Sequence, residues 1–138
     1  MVDFNTRFGK AVNRRLRREA IIWLTTVDRR NRPQPRPVWF DWDGKSILIF
    51  SQPGAAKVRH LADNRNVALN LNSDAQGEAV TVLLGEAKTL KRSVGAARLA
   101  AYLKKYREGI ETLGMTPAEF WASYSTAIQV KPTALRGF

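Results

Sequence analysis

Hydrophobic positions recur along the chain with two different periods. Near the N-terminus, Phe8, Val12 and Leu16 recur every four residues among arginines, which predicts a basic amphipathic helix over residues 5–19. Further along, short runs rich in Val, Ile, Leu and Thr lie between turn-forming residues, as is typical of β-strands. We predict six strands, over residues 20–27, 36–42, 46–51, 66–72, 78–90 and 126–130.

Three further segments have helical signals. Residues 52–64 open with Gln52-Pro53-Gly54, and Pro53 suits a first helical turn that has Ser51 near its cap. Residues 93–106 form a second helical segment. Residues 116–123 form a third, in which Thr116 and Glu119 are spaced as a capping box around Pro117.

The order of these elements favours an antiparallel sheet. Short turns join most of the strands, and Asp43-Gly44 is a typical hairpin turn. We therefore expect a mainly-β α+β fold in one domain, residues 1–138, because a chain of this length holds one core rather than two. Closing the sheet into a barrel would remove its exposed edges. Gly85, inside a predicted strand, indicates a bulge or a close backbone approach.

The residues that the chain lacks exclude several kinds of chemistry. It contains no cysteine and one histidine, His60, so disulfides, iron–sulfur clusters and the usual zinc sites are excluded. We assign no metal ligand and no catalytic side chain, and we expect His60 to be a hydrogen-bonded structural residue. If the protein is an enzyme, a bound cofactor is expected to supply the difficult chemistry.

The net charge of +11, from 23 basic and 12 acidic side chains, favours an anionic partner. Nucleic acid, an anionic membrane surface and a small phosphate- or carboxylate-bearing ligand all fit. No apolar run is long enough to cross a bilayer, and residues 1–10 do not have the pattern of a secretory signal. We therefore expect a cytoplasmic protein that is not inserted in a membrane.

Residues 47–61 could form a phosphate site, because a strand leads directly into a predicted helix start. Free backbone N–H groups at such a terminus attract an anion, Ser51 could donate a hydroxyl, and Lys57 could add a charge. A Ser-capped helix with a solvated lysine is also common, so this segment alone leaves both interpretations open.

Several motifs, taken in order, resemble those of the pyridoxamine 5'-phosphate oxidase-like FMN-binding split barrels, especially their small flavin- or deazaflavin-dependent oxidoreductases. The resemblance covers nearly the whole chain. The motifs that carry it are Pro35-Arg36-Pro37-Val38-Trp39-Phe40, Asp43-Gly44, Lys57-Val58-Arg59-His60-Leu61, Val80-Thr81-Val82-Leu83-Leu84-Gly85-Glu86-Ala87 and Val130-Lys131-Pro132-Thr133.

This resemblance implies a homodimeric, six-stranded antiparallel split β-barrel with flanking helices. It also implies that FMN or the deazaflavin coenzyme F420 binds at the dimer interface. The implied cofactor-binding residues are Arg36, Pro37, Val38 and Trp39 along the ring system, and Ser51, Lys57 and Arg59 near the ribityl chain and phosphate. Lys57 and Arg59 lie about 200° apart around a helix, so they cannot both face one phosphate.

The implied function is an oxidoreductase that transfers a hydride to or from a small organic substrate, with Tyr124 as one hydroxyl that could supply a proton. Basic residues of the first helix suit the anionic tail of F420 and favour it over FMN. These residues are Lys10, Arg14, Arg15, Arg17 and Arg18. The alternatives are an FMN-dependent pyridoxamine-phosphate-oxidase-like protein or flavin reductase, and a non-enzymatic basic module that binds nucleic acid or stores cofactor. No nucleic-acid-binding motif is present, so we expect no specific nucleic-acid partner.

Overall fold

The structure, a computed structural model, describes residues 2–138, which form four helices and seven strands. Within these residues, none of the helices combines the length and the apolar character that crossing a bilayer requires. The elements, in chain order, are α1 (Arg7–Arg18), β1 (Ile22–Val27), β2 (Pro33–Val38), β3 (Asp41–Trp42), β4 (Ile47–Ser51), α2 (Ala56–Asp63), β5 (Asn66–Asn70), β6 (Thr81–Thr89), α3 (Ala96–Thr112), α4 (Pro117–Ser123) and β7 (Thr126–Gly137).

The strands form one antiparallel sheet in the order β2-β1-β5-β6-β7-β4-β3. β7 pairs with β4 over Thr126–Val130 and with β6 over most of its length. It therefore joins β4 and β3 to the other four strands of the sheet. The edge strands β2 and β3 are joined by only Trp39 and Phe40. Because so short a link connects opposite edges, the sheet curls into a half-barrel.

The main core lies on the concave side of this sheet. Inward-facing residues such as Leu24, Leu69 and Leu83 are at most 1% exposed, and they alternate with more exposed positions as a half-buried strand requires. Helix α1 covers this core with Val12 and Leu16, the apolar stripe predicted from its four-residue spacing. The prediction of a buried face on a basic helix is therefore confirmed.

A second core, made of aromatic side chains, joins α3 and α4 to the open side of the half-barrel. The Tyr106 hydroxyl donates to the carbonyl oxygen of Ala20 at 2.7 Å and accepts from the backbone nitrogen of Phe40 at 2.8 Å. Beside it, the Trp39 ring stacks on the Tyr106 ring with centroids 4.7 Å apart. Tyr106 therefore fixes the backbone at the link between β2 and β3.

An ion-pair network holds the start of α3 against the β3–β4 hairpin. Arg98 Nε lies 2.9 Å from a carboxylate oxygen of Asp41, and Arg98 Nη1 lies 3.0 Å from one of Asp43. Arg98 also donates to the carbonyl oxygen of Ser46 at 2.9 Å. These contacts are made by a largely buried guanidinium, so they set the position of the helical pair relative to the sheet.

The predicted mainly-β fold with helices is confirmed, whereas the predicted number of six strands is wrong. The expected strand over residues 36–42 begins at Pro33 and is interrupted at Trp39 and Phe40, which leaves β3 as a separate element. The interruption has a physical cause, because the Phe40 N–H bonds to the Tyr106 hydroxyl. Local sequence gives no sign of this contact, since its partners are 66 positions apart.

Element ends also differ from the prediction. Helix α2 begins at Ala56 rather than near Gln52, so Ser51 ends β4 and does not cap the helix. Helix α3 continues to Thr112, and β7 continues to Gly137 because its second half pairs with β6. The bulge expected at Gly85 is present: the β6–β7 register shifts there, and a Cβ would lie 2.8 Å from the carbonyl oxygen of Lys131.

Candidate functional site

A cavity with mostly apolar walls lies beside the link between β2 and β3. It has a volume of about 430 Å³, within the range of small-molecule sites. The end of β2, the end of β4, the start of α2 and the α3–α4 pair all contribute to it. Its lining residues are Ile21, Pro37, Val38, Trp39, Phe50, Ser51, Gln52, Ala55, Lys57, Tyr102, Leu113, Phe120 and Tyr124.

One wall of the cavity is a fixed indole ring. Trp39 is stacked against Tyr106, with the ring planes 4° apart, and it lies 5.9 Å from the Phe120 ring. Gly109 allows α3 to approach this closely, since a Cβ there would lie 2.9 Å from the Trp39 ring. A rigid planar wall of this kind suits a planar aromatic ligand.

Another part of the cavity is rich in hydrogen-bond donors. The N-cap of α2 is Ala55, which has no side chain able to accept from the first N–H groups of the helix. Ser51 lies beside it, 2% exposed, and donates its hydroxyl to the carbonyl oxygen of Gln52 at 3.0 Å. The uncapped helix terminus therefore presents N–H groups and the positive end of its dipole to a ligand.

Lys57, in the first turn of α2, adds a half-buried ammonium group to this donor-rich end. Burial lowers the pKa of Lys57, and the positive charge of Arg36 lowers it further. Among residues 2–138, no carboxylate forms an ion pair with Lys57. A cation held near another cation, without an acidic partner in the chain, favours an anionic ligand.

Five of the seven predicted cofactor-binding residues line this cavity, namely Pro37, Val38, Trp39, Ser51 and Lys57. Arg36, a residue of β2, does not line it, but its charge acts on Lys57 and its side chain is exposed. Arg59 lies elsewhere: its guanidinium donates to the carbonyl oxygen of Gly54 at 2.7 Å and lines a different surface cavity. The separation of Lys57 from Arg59, argued from helical geometry, is confirmed.

His60 and the basic face of α1 lie outside the cavity. His60 Nδ1 is 2.8 Å from the Thr26 hydroxyl oxygen, which agrees with the expected hydrogen-bonded structural histidine. Arg15, assigned to a basic groove for an anionic tail, instead pairs with Glu19 and donates to the carbonyl oxygen of Asn72 at 2.7 Å. The other basic residues predicted for that groove, Lys10, Arg14, Arg17 and Arg18, do not line the cavity either.

The sequence interpretation overlooked most of the α3–α4 contribution, including Tyr102, Leu113 and Phe120. A usable signal was present, because Tyr102 and Tyr106 are four residues apart and therefore share one face of a helix. Tyr124, named from the sequence as a possible hydroxyl source, does line the cavity.

With this geometry established, comparison with known proteins identifies the family. A family model described as pyridoxamine 5'-phosphate oxidase matches residues 8–138. Among solved structures, the heme storage protein HutZ from Vibrio cholerae superposes with a TM-score of 0.71 at 16% identity, covering 96% of this chain and 95% of that one. A protein described as an F420 reductase superposes with a TM-score of 0.64 at 24% identity, covering 88% and 92%.

General Stress Protein 26 from Bacillus anthracis superposes with a TM-score of 0.69 at 14% identity, covering 91% of this chain and 89% of that one. No curated protein sequence matches the chain. At these identities the structural likeness shows the fold, and the family model extends over nearly all of the described residues. The chain therefore belongs to the pyridoxamine 5'-phosphate oxidase family and has its split-barrel fold.

Proposed function

We propose that this protein binds a phosphate-bearing flavin or deazaflavin in the cavity beside Trp39 and uses it as an oxidoreductase. The observation that carries the proposal is the half-buried Lys57 ammonium, which lies next to the uncapped N-terminus of α2 without an acidic partner among residues 2–138. A phosphate placed there would accept from Lys57 and from backbone N–H groups, and would offset the repulsion from Arg36.

The remainder of the cavity fits the ring system of such a cofactor. Pro37, Val38 and Trp39 lie along one side, and Trp39 supplies the rigid aromatic wall. The backbone of Trp39 follows the last paired residue of the β1–β2 ladder, and in this proposal its polar groups bond with the ring edge. When bound, the cofactor supplies hydride-transfer chemistry, and the chain orients it and limits its contact with water.

Within this proposal, F420 is the preferred cofactor and a small organic redox compound is the substrate. The tail of F420 carries several negative charges, and the chain has a net charge of +11 with Arg36 exposed beside Lys57. We further propose a cytoplasmic homodimer, in which the second copy closes the open side of the cavity. An FMN-dependent oxidase or flavin reductase is the nearest alternative.

The cofactor is tested by titrating the purified protein with F420, FMN and riboflavin at moderate salt while following cofactor fluorescence. F420 is expected to bind more tightly than FMN because its tail adds negative charges. FMN is expected to bind more tightly than riboflavin because riboflavin has no phosphate for Lys57 to contact. Preference for FMN over F420 would make the protein a flavin oxidase or reductase. No binding of any of the three would overturn the proposal.

Heme storage, the role named for HutZ, fits the cavity less well. A heme site usually supplies a histidine, cysteine, methionine or tyrosine to the iron. His60 lies in another surface cavity and bonds to Thr26, which leaves only the Tyr102 and Tyr124 hydroxyls among the cavity-lining residues. The donor-rich end at Lys57 corresponds better to a phosphate.

A second candidate function, non-specific binding of polyanions, is favoured by one surface. Four basic side chains line a concave region of about 450 Å³, and no acidic residue lines it. The other lining residues are Leu61, Ala62, Thr89 and Leu90. No aromatic residue lines it, so bases would not be stacked and contact would be with phosphates. The four side chains belong to Arg65, Lys88, Lys91 and Arg92.

Replacing these four with glutamine separates the two functions. The variant is expected to bind random single-stranded DNA more weakly and with a smaller salt dependence, while its cofactor affinity stays within twofold of the wild type. A control that removes four charges from α1, at Lys10, Arg14, Arg17 and Arg18, should weaken DNA binding less. Equal losses in both variants would show only the effect of net charge.

A further inference from the structure

Lys105, a residue of α3, is held in place by contacts with the link between β2 and β3. Its side chain is partly buried, and its Nζ donates to the carbonyl oxygen of Phe40 at 2.8 Å. The same Nζ lies 3.9 Å from the centroid of the Phe40 ring and 5.3 Å from that of the Tyr106 ring. Among residues 2–138, no carboxylate forms an ion pair with it. The amine is therefore fixed without a direct counter-ion.

These contacts leave one direction of the amine open. A neutral amine has two N–H groups and one lone pair, and the carbonyl and the ring of Phe40 can each accept one N–H group. Lys105 also lines an open surface cavity of about 700 Å³, which shares no lining residue with the cavity beside Trp39. The lone pair is thus available to a molecule that enters this second cavity.

The second cavity carries an excess of positive charge. Four of its lining residues are basic and two are acidic. Both carboxylates, those of Asp41 and Asp43, are already paired with Arg98. The other two basic neighbours of the amine, Arg17 and Lys104, form no ion pair in the described part of the chain. Two unpaired cations beside an amine suit an electrophile that has an anionic leaving group.

Part of this amine is uncharged at neutral pH. Burial lowers the pKa of Lys105 to about 8, although Asp41 and Glu19 act in the opposite direction. At about pH 7.4, roughly a fifth of such an amine is neutral, compared with about a thousandth of a lysine that has the ordinary pKa of about 10.4. Because the neutral amine is the nucleophile, this larger fraction increases its reactivity.

We propose that Lys105 is a site of acylation by small acyl phosphates, with Arg17 and Lys104 holding the phosphoryl group. The Nζ lone pair forms a bond to the acyl carbon, the acyl C–O bond breaks, and inorganic phosphate leaves with the electron pair of that bond. The nitrogen then loses a proton to water, so nothing is oxidised or reduced. The amide product keeps one N–H group for the Phe40 carbonyl. This site is independent of the cofactor proposed for the cavity beside Trp39.

The first test treats the wild-type protein with acetyl phosphate at about pH 7.4 and follows acetylation of each lysine by mass spectrometry after digestion with a protease that cuts at glutamate. Lys104 is the internal control, since it is the adjacent residue of α3 and is exposed. Lys105 is expected to be acetylated at least about tenfold faster than Lys104, because of its larger neutral fraction. In denaturing urea the two rates should become equal, because the difference arises from the folded surroundings.

The second test examines the phosphoryl contact with Arg17→Gln. Acetylation of Lys105 by acetyl phosphate should slow roughly two- to fivefold, as expected for an exposed charge–charge contact. Acetylation by acetic anhydride should be unchanged, because this reagent has no phosphoryl group. Arg14→Gln is the matched control, since Arg14 is an exposed residue of the same helix that does not line the second cavity.

Three results would overturn the inference. Equal acetylation of Lys104 and Lys105 in the folded protein would show that Lys105 is an ordinary lysine. A preference for Lys105 that persists in urea would have a local sequence cause and not a structural one. Equal slowing in Arg17→Gln and Arg14→Gln, or slowing with acetic anhydride as well, would refute the phosphoryl contact and with it the acyl phosphate as the reagent. Cofactor binding enters none of these measurements.

Discussion

Replacing Lys57 with methionine removes one charge from the cavity while keeping most of the apolar length of the side chain. In the folded chain this ammonium is half-buried, its pKa is lowered by burial and by Arg36, and α2 has no side-chain cap beside it. A phosphate bound at this end would lose one charge-assisted hydrogen bond. Such a bond contributes about 1.5–3 kcal/mol, so Kd for FMN or F420 should rise roughly 10- to 150-fold.

The assay is fluorescence titration with FMN and with riboflavin, which lacks the phosphate. Wild type should prefer FMN, and Lys57→Met should lose most of that preference, because only the phosphate contact is removed. Arg59→Met is the matched control, since Arg59 lies on the same helix but bonds to the Gly54 carbonyl and lines another cavity. Its FMN affinity should stay within twofold of the wild type.

The same substitution makes an opposite prediction for the protein without ligand. Because burial and Arg36 both disfavour the charged form of Lys57, removing the charge should leave Tm unchanged or raise it. A residue that lowers the stability of the ligand-free protein but increases its affinity for the ligand is typical of a binding site. The reasoning is refuted if FMN affinity falls less than twofold, if riboflavin affinity falls as much as FMN affinity, or if Tm drops.

Two further predictions concern groups around the link between β2 and β3. Lys105 donates to the carbonyl oxygen of Phe40 at 2.8 Å, and burial lowers the pKa of Lys105 to about 8. An unfolded lysine has a pKa of about 10.4, so the unfolded chain binds this proton more tightly. The free energy of unfolding should therefore rise as pH increases from about 8 to about 10. Denaturant titrations should show a smaller rise in Lys105→Met, and an identical rise would contradict the assignment. Gly109→Ala places a Cβ 2.9 Å from the Trp39 ring, so it should lower unfolding free energy by about 1–3 kcal/mol and weaken cofactor binding. Gly95→Ala, at the N-cap of α3, meets no atom within 4 Å and is its control for cofactor binding. An equal loss of cofactor affinity in both variants would show that contact with Trp39 is not the cause.

Much of the local structure was determined by sequence. The four-residue spacing of Val12 and Leu16 predicted the buried face of α1, and the Thr116–Glu119 capping box predicted the start of α4. The bulge at Gly85 was also predictable, because a glycine inside a strand usually marks a place where a side chain does not fit. These features depend on neighbours within a few residues, and such neighbours are visible in the sequence.

Part of the site was visible in the sequence as well, though only as a set of candidates. The strand-to-helix segment that ends at Lys57, together with the Arg36–Phe40 motif, placed five of the seven candidate residues around one cavity. Helical geometry also predicted that Lys57 and Arg59 face different directions. Which cofactor these residues hold stays a prediction, because charge and spacing suit more than one phosphate-bearing ring.

The tertiary structure decided the rest, because the deciding contacts join residues far apart in the chain. The Tyr106 hydroxyl, 66 positions from Phe40, divides the second predicted strand into β2 and β3. Arg15 was predicted to serve a ligand but is bound to Asn72, 57 positions away. Tyr102 becomes a cavity residue only because α3 folds back over β4. Local patterns record a residue's helix or strand preference, whereas its partner across the fold depends on how the whole sheet curls.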